Sequence, residues 1–375
     1  MRTINLALQG GGSHGAFTWG VLDALLADPR IGLEGLSGTS AGAVNAVVLA
    51  SGYATARAAG RDPREGAREA LAKLWQTIGS WDALGAWQRQ WARLLWGGAA
   101  LARGGDWISR AFGGSLSPYQ TNPLDLNPLR DLLREQVDFH AIAQGPLKVY
   151  ATATHVPTGR AVIFTGARLD AAAVLASACL PQLFKAVEID GEPYWDGGYS
   201  ANPALTPLIQ GCSSADLVLI QINPLRVPGV PQTSADIADR VNELTFNASL
   251  LTQMRTIESI NSMLDRGALR GTDLKTVRMH RVDGGDAIRA FPGSTKTSTD
   301  AAMIDALFRL GQQAASHWLE RHYDALGRHG TIDIRRDYLD DTRVPVAREE
   351  PGATGPARRF RPWLAQLLRR WPYMK

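Results

Sequence analysis

Two hydrophobic rhythms alternate at the start of the chain. Residues 3–8 (TINLAL) form a short apolar run of the kind a doubly buried strand requires. After a glycine-rich loop, apolar residues recur at helical spacing through 16–27 (AFTWGVLDALLA). A second strand is predicted over 32–36 and a buried helix over 41–50 (AGAVNAVVLA). Strand, loop, helix, strand, loop, helix in succession predicts a parallel α/β sheet. Further strands are predicted over 147–154, 161–165, 217–222 and 276–282. Helices are predicted over 170–179, stopping at Pro181, and over 234–264 and 301–323. Residues 186–195 (AVEIDGEPYW) read as a hairpin turning at Asp190-Gly191. No internal repeat interrupts this order.

Two stretches depart from the pattern. Residues 75–107 hold six of the eleven tryptophans, Trp75, Trp81, Trp87, Trp91, Trp96 and Trp107, interleaved with Arg and Ala. Indole has an apolar body with one polar handle, so this helical insertion, 75–119 at its widest, is a candidate lid or acyl-binding wall. A helical subdomain packed on the core is the alternative. From about Thr342 the chain turns rich in Arg, Pro and Gly, a linker signal. In 358–375 (RRFRPWLAQLLRRWPYMK), Phe360, Trp363, Leu364, Leu367, Leu368 and Trp371 share one helical stripe, flanked by arginines. A basic amphipathic helix of this kind suits an anionic membrane surface, or a docking face on the same protein. The expected organisation is therefore a domain over 1–341 and a linker with a terminal helix over 342–375.

Composition narrows the class. The chain has 375 residues, 45% hydrophobic and 20% charged, enough for a packed core. A net charge of +4 is mild for this length, and no nucleic-acid partner is expected. Cys179 and Cys212 are too few for a disulfide framework. The start (MRTINLALQGGG) lacks the long apolar run of a signal peptide, and no stretch approaches the length of a membrane span. A cytoplasmic protein is expected.

The loop LQGGGSHGAF (8–17) satisfies G-x-G-x-x-G, the fingerprint of a dinucleotide-binding turn. That turn also requires an acidic residue at the end of the second strand, to bind ribose. Glu34 lies at the start or middle of the strand, and its end instead carries GTSAG (38–42). This is G-x-S-x-G: a serine on a sharp strand-to-helix turn, with Gly38 and Gly42 small so that the turn can close. Clustered N–H groups of a glycine loop beside such a serine suit a transient oxyanion as well as a phosphate. An ordinary serine helix cap is the bland alternative.

A serine nucleophile needs a base. His140, His155, His280, His317, His322 and His329 sit in helices, strands or loops where surface or packing roles are expected, and so does His14. Asp196 is better situated. It follows a predicted strand and precedes Gly197-Gly198, which let the chain turn and leave room around the carboxylate. Taken alone, Asp-Gly-Gly is also a common turn.

GGGSHG at 10–15, GTSAG at 38–42 and DGG at 196–198, in this order, resemble the patatin-like phospholipase family. The motifs span about residues 4–202, with looser similarity around 307–319. The resemblance implies a three-layer α/β fold with a central, mostly parallel sheet. It implies a Ser40–Asp196 dyad, an oxyanion hole from the N–H groups of Gly10, Gly11 and Gly12, and His14, Gly15, Gly38, Gly42, Gly197 and Gly198 as supporting positions. The implied activity is hydrolysis of lipid acyl esters without metal or other cofactor. The family carries Arg or Lys where this chain has His14, so a fixed cation gives way to a group mostly neutral at pH 7. An acyltransferase on the same dyad, or a non-catalytic nucleotide- or lipid-binding protein using the glycine loop, are the alternatives. A Ser–Asp–His α/β-hydrolase is disfavoured because its nucleophile usually follows several strands, whereas Ser40 follows the second.

Overall fold

The computed structural model describes residues 1–95 and 117–339, apart from 123, 124, 126, 228, 270, 271 and 292; at 82–95, 121, 234, 235 and 294 it describes the backbone alone. The predicted linker and terminal helix over 342–375, and the segment holding Trp96 and Trp107, therefore lie outside the described residues. Residues Met1–Leu339 form one unit.

Among the described residues eight strands build one sheet: β1 (Arg2–Leu8), β2 (Ile31–Thr39), β3 (Lys148–His155), β4 (Ala161–Phe164), β5 (Val187–Ile189), β6 (Glu192–Asp196), β7 (Asp216–Gln221) and β8 (Arg278–Asp283). Their order is β5-β6-β3-β2-β1-β7-β8, with β4 also paired to β3. Pairings among β3, β2, β1, β7 and β8 are parallel, and those of β3 with β4 and β6, and of β5 with β6, are antiparallel.

Side chains alternate between two buried faces. Ile4, Leu6 and Leu8 of β1 and Val218 and Ile220 of β7 point into one core, shared with α1 (Gly15–Ala27), α2 (Ala41–Ala58), α3 (Pro63–Leu95) and, further along, α7 (Ala301–His322). Ala7 of β1 and Leu217 and Leu219 of β7 point into the other, covered by Leu250, Met254 and Ile257 of α6 (Ser234–Asp265). The continuous apolar run of β1 reflects this double burial. The result is three layers, helix–sheet–helix. α4 (Pro128–Gln136) and α5 (Ala171–Ser177) complete the first layer through Leu132, Leu133, Val174 and Leu175.

Sequence and structure differ in the second strand and its neighbours. The strand runs three residues beyond 36, to Thr39, and α2 extends past 50 to Ala58. The helix assigned to an insertion from 75 begins at Pro63, and Trp75 is a core residue, its indole N–H donating to Asn45 Oδ1 at 3.0 Å. Periodicity missed the start of α3 because 63–74 is densely charged on its outer face, while Ala67, Leu71 and Leu74 carry the buried one.

Strand register brings distant residues together. Leu8 at the end of β1 pairs with Gly38, and with Ile220 on its other side. Thr39 pairs with Thr152, and the next residue of β3, Ala153, pairs with Asp196. The glycine loop, Ser40, Asp196 and the chain after β7 thus share one end of the sheet. For parallel strands this is the carboxyl end, where open α/β sheets form their sites.

Candidate active site

Ser40 leaves β2 on a backbone with φ 55° and ψ −127°, a region that non-glycine residues rarely enter. The surroundings hold it there. Its N–H donates to Ser177 Oγ at 3.0 Å, and its C=O accepts from the Val44 N–H at 3.1 Å. A Cβ on Gly42 would collide with the Leu8 carbonyl, and one on Gly38 with the Gly42 backbone. These contacts give the two small positions of G-x-S-x-G a steric reason. Gly15 serves the same packing, since a Cβ there would lie 2.8 Å from the Ala41 Cβ.

Asp196 ends β6. It is 1% exposed, and its backbone N–H donates to the Cys179 carbonyl at 2.8 Å. One carboxyl oxygen, Oδ1, accepts from the Gly198 N–H at 2.7 Å. The other, Oδ2, is buried without a partner of ordinary hydrogen-bond geometry. The side chain that acts on this carboxyl is Ser40, whose hydroxyl favours the ionised form. Burial pushes the Asp196 pKa up to about 6, opposed by the Gly198 N–H and the Ser40 hydroxyl. Gly197 is required because a Cβ would strike the Thr152 carbonyl, and Gly198 because Phe246 packs against it.

The glycine loop lies directly over Ser40. A Cβ on Gly10 would be 2.8 Å from the Ser40 Cβ. Gly10 differs from its expected role: its N–H already donates to Asn202 Oδ1 at 2.6 Å, so Gly10 anchors the loop, and its amide is not open to an oxyanion. The N–H groups of Gly11 and Gly12 enter no hydrogen bond among the described residues. Gly12 adopts φ 57°, and a Cβ there would meet the Lys296 carbonyl.

Behind the loop lies a polar network that no motif announced. Gln9 Oε1 accepts from the N–H groups of Ile222 and Asn223, each at 2.9 Å. Asn223 Nδ2 donates to the Gly10 carbonyl at 2.9 Å, and Lys296 Nζ donates to Asn223 Oδ1 at 2.8 Å. Gln9 stood within the quoted glycine-loop stretch and Asn202 six residues after Asp196 in DGGYSANP, whereas nothing nearby marked Asn223 or Lys296. His14 is 3% exposed, with Nε2 2.8 Å from Thr295 Oγ1. Burial, and then the charge of Lys296, push its pKa down to about 4, so the ring is neutral near pH 7.

A cavity of about 310 Å³ opens beside Ser40. Val44, Trp75, Ile78, Trp81, Leu180 and Phe184 give it an apolar lining. Two of the six tryptophans of the 75–107 stretch thus form part of this wall. The side chains of Trp87 and Trp91 lie outside the described residues.

Other candidate positions are spoken for. Glu34 accepts from the N–H groups of Ser213 and Ser214 at 2.7 and 2.8 Å, away from the end of β2. His280 on β8 is fully buried against Asp216 Oδ1 at 3.0 Å, with β1 and β7 between its strand and β2. Among the described residues no cluster of three or more His, Cys, Asp or Glu has metal-site geometry, and no helix is long and apolar enough to cross a membrane.

No curated protein sequence matches the chain. Among solved structures, VipD from Legionella pneumophila matches with a TM-score of 0.39 and 16% identity, over 90% of this chain and 73% of that one. The patatin-like phospholipase family model matches residues 6–209, more than half of the chain and the span that holds the glycine loop, Ser40 and Asp196. The chain belongs to the patatin-like phospholipase family, a membership that supports lipid acyl hydrolysis in general.

Proposed function

We propose that the protein hydrolyses carboxylic esters of lipids through a Ser40–Asp196 dyad. The observation that carries this is a strained, partly exposed Ser40 whose hydroxyl acts on a buried carboxyl with one oxygen, Oδ2, free of hydrogen bonds among the described residues. A carboxylate with a pKa near 6 is ionised at neutral pH and is a far better proton acceptor than a solvated aspartate.

Asp196 takes the proton from Ser40 Oγ as the oxygen bonds to the ester carbonyl carbon. The carbonyl oxygen becomes an oxyanion held by the Gly11 and Gly12 N–H groups, with the positive end of α2 nearby. The ester C–O bond then breaks, the proton on Asp196 passes to the departing alkoxide, and the acyl group remains on Ser40. Asp196 next takes a proton from water, whose oxygen attacks the acyl carbon. The carboxylic acid leaves as Oγ recovers the proton. The acyl chain lies in the cavity lined by Val44, Ile78, Trp81 and Leu180. The basic amphipathic segment over 358–375 is proposed to bring the enzyme to anionic lipid surfaces. Flotation with anionic vesicles, with the chain cut after Arg348, tests that part, and unchanged binding would remove it.

The dyad is tested by labelling with a fluorophosphonate, comparing the wild type with Ser40→Ala and Asp196→Asn. Wild type labels, Asp196→Asn labels slowly and Ser40→Ala does not. Equal labelling of Ser40→Ala would end the assignment. A panel of neutral and anionic esters of varied chain length then defines the substrate.

A further inference from the structure

The peptide unit between Gly10 and Gly11 has two ends. Its N–H, on Gly11, enters no hydrogen bond among the described residues. Its C=O, on Gly10, accepts from Asn223 Nδ2 at 2.9 Å, and Asn223 Oδ1 accepts from Lys296 Nζ at 2.8 Å. An ammonium, a side-chain amide and a peptide bond are thus aligned head to tail. In such a chain each donor polarises the next, and a full charge at one end strengthens the donor at the other.

The loop that carries Lys296 is fitted to this end of the sheet. The turn Gly293–Thr297 packs on the glycine turn, with the Lys296 carbonyl against Gly12 and Thr295 on His14. Lys296 is partly buried and borders the same cavity as Ser40. Burial lowers its pKa, and the carboxylates Asp239 and Glu243 of α6 oppose that and favour the charged form. His14 faces the same charge and stays neutral. A second permanent cation at position 14 would confront the first, whereas a neutral ring can seat the loop through Thr295.

We propose that Lys296 is a positioning residue for ester hydrolysis: its charge, relayed through Asn223 to the Gly10–Gly11 peptide, strengthens the Gly11 N–H as the oxyanion's donor. It acts from a loop distant in sequence from the glycine turn that it is packed against. This rests on the serine-hydrolase reading above. A charge relayed through one amide carries only part of the effect of a direct oxyanion donor, whose loss costs on the order of 10²-fold or more.

The test is steady-state hydrolysis of a neutral substrate, p-nitrophenyl butyrate, and of an anionic phospholipid. Lys296→Met is expected to lower kcat about tenfold with KM within about twofold on both substrates, and Lys296→Arg to restore most of the loss. Asn223→Leu is expected to cost a similar factor, and the double variant little more than either single one. Should Lys296→Met fail to fold, Lys296→Gln, which keeps a long stem and a neutral donor, takes its place with the same expected loss. A folded Lys296→Met or Lys296→Gln protein with wild-type kcat on the neutral ester overturns the relay. A loss confined to the anionic lipid also overturns it, since that assigns Lys296 to a head group. Ser40→Ala separates the two proposals. If it is inactive while Lys296→Met is fully active, only the relay fails; if it is active, the serine reading fails first.

Discussion

Two aspartates of this fold expose almost no surface and behave in opposite ways, the first being the more deeply packed. Asp196 is 1% exposed and Asp216 3%. At Asp216 burial also favours the neutral acid, but Arg278, His280 and the Gly327 N–H all donate to the carboxylate and hold its pKa well below the usual range. At Asp196 a single backbone N–H and the Ser40 hydroxyl leave burial dominant. Loss of exposed surface therefore does not by itself assign a carboxyl its role; how deeply it is packed and how many donors surround it do. A carboxylate fully satisfied by donors is a staple. A carboxylate with one oxygen unsatisfied can accept a proton.

The largest separation is expected in turnover. Asp196→Asn lowers kcat by about 10³-fold, whereas Asp216→Asn leaves kcat per folded molecule within about threefold, measured by ester hydrolysis with active-site titration. Equal losses would erase the contrast. Stability should separate them in the reverse sense. Asp216→Asn leaves Arg278 without its carboxylate and costs about 3 kcal/mol in urea unfolding, while Asp196→Asn is neutral or stabilising.

The pH dependence sharpens the same contrast. The folded pKa of Asp196, about 6, lies above the unfolded value of 3.8, so this group costs stability as pH rises through that window, by roughly 3 kcal/mol once the window is passed. Asp216 has a folded pKa below 3.8, so its stabilisation is present above that value and is lost as pH falls beneath it. Asp196→Asn should remove the first slope only, and Asp216→Asn the second. In turnover, kcat/KM of the wild type rises with pH through about 6 as Asp196 becomes able to accept a proton. A flat profile between pH 5 and 7 would show that some other group is the base. The smallest effect is expected at the cavity wall. Trp81→Ala enlarges it and raises the kcat/KM ratio of octanoyl over butyryl esters about threefold.

The main strands and the long helices could be read from the chain because each repeats a local rhythm. β7 and α6 differ from expectation by one residue at their ends. α3 could not be delimited, since its buried face of Ala67, Leu71 and Leu74 is narrow against a charged exterior. Within the candidate site, the tight turns at Ser40 and Asp196 were legible because small residues had to flank each of them, and steric necessity leaves a mark in adjacent letters. Gly10 was misread as an oxyanion donor, because its partner Asn202 lies 192 residues away.

By itself, then, the sequence determined what local sterics and periodicity control: the strand–loop–helix order, the tight turns around Ser40 and Asp196, and the lack of side chains in the glycine loop. Tertiary structure alone decided which groups meet across the sheet. Pairing of Thr39 with Thr152 and of Ala153 with Asp196 brings the proposed dyad together, and burial there raises the carboxyl's basicity. The contacts of Gly10 with Asn202, of His14 with Thr295 and of Lys296 with Asn223 span 73 to 281 residues. Hydrogen bonds and desolvation depend on distance in space, and no spacing along the chain encodes that distance.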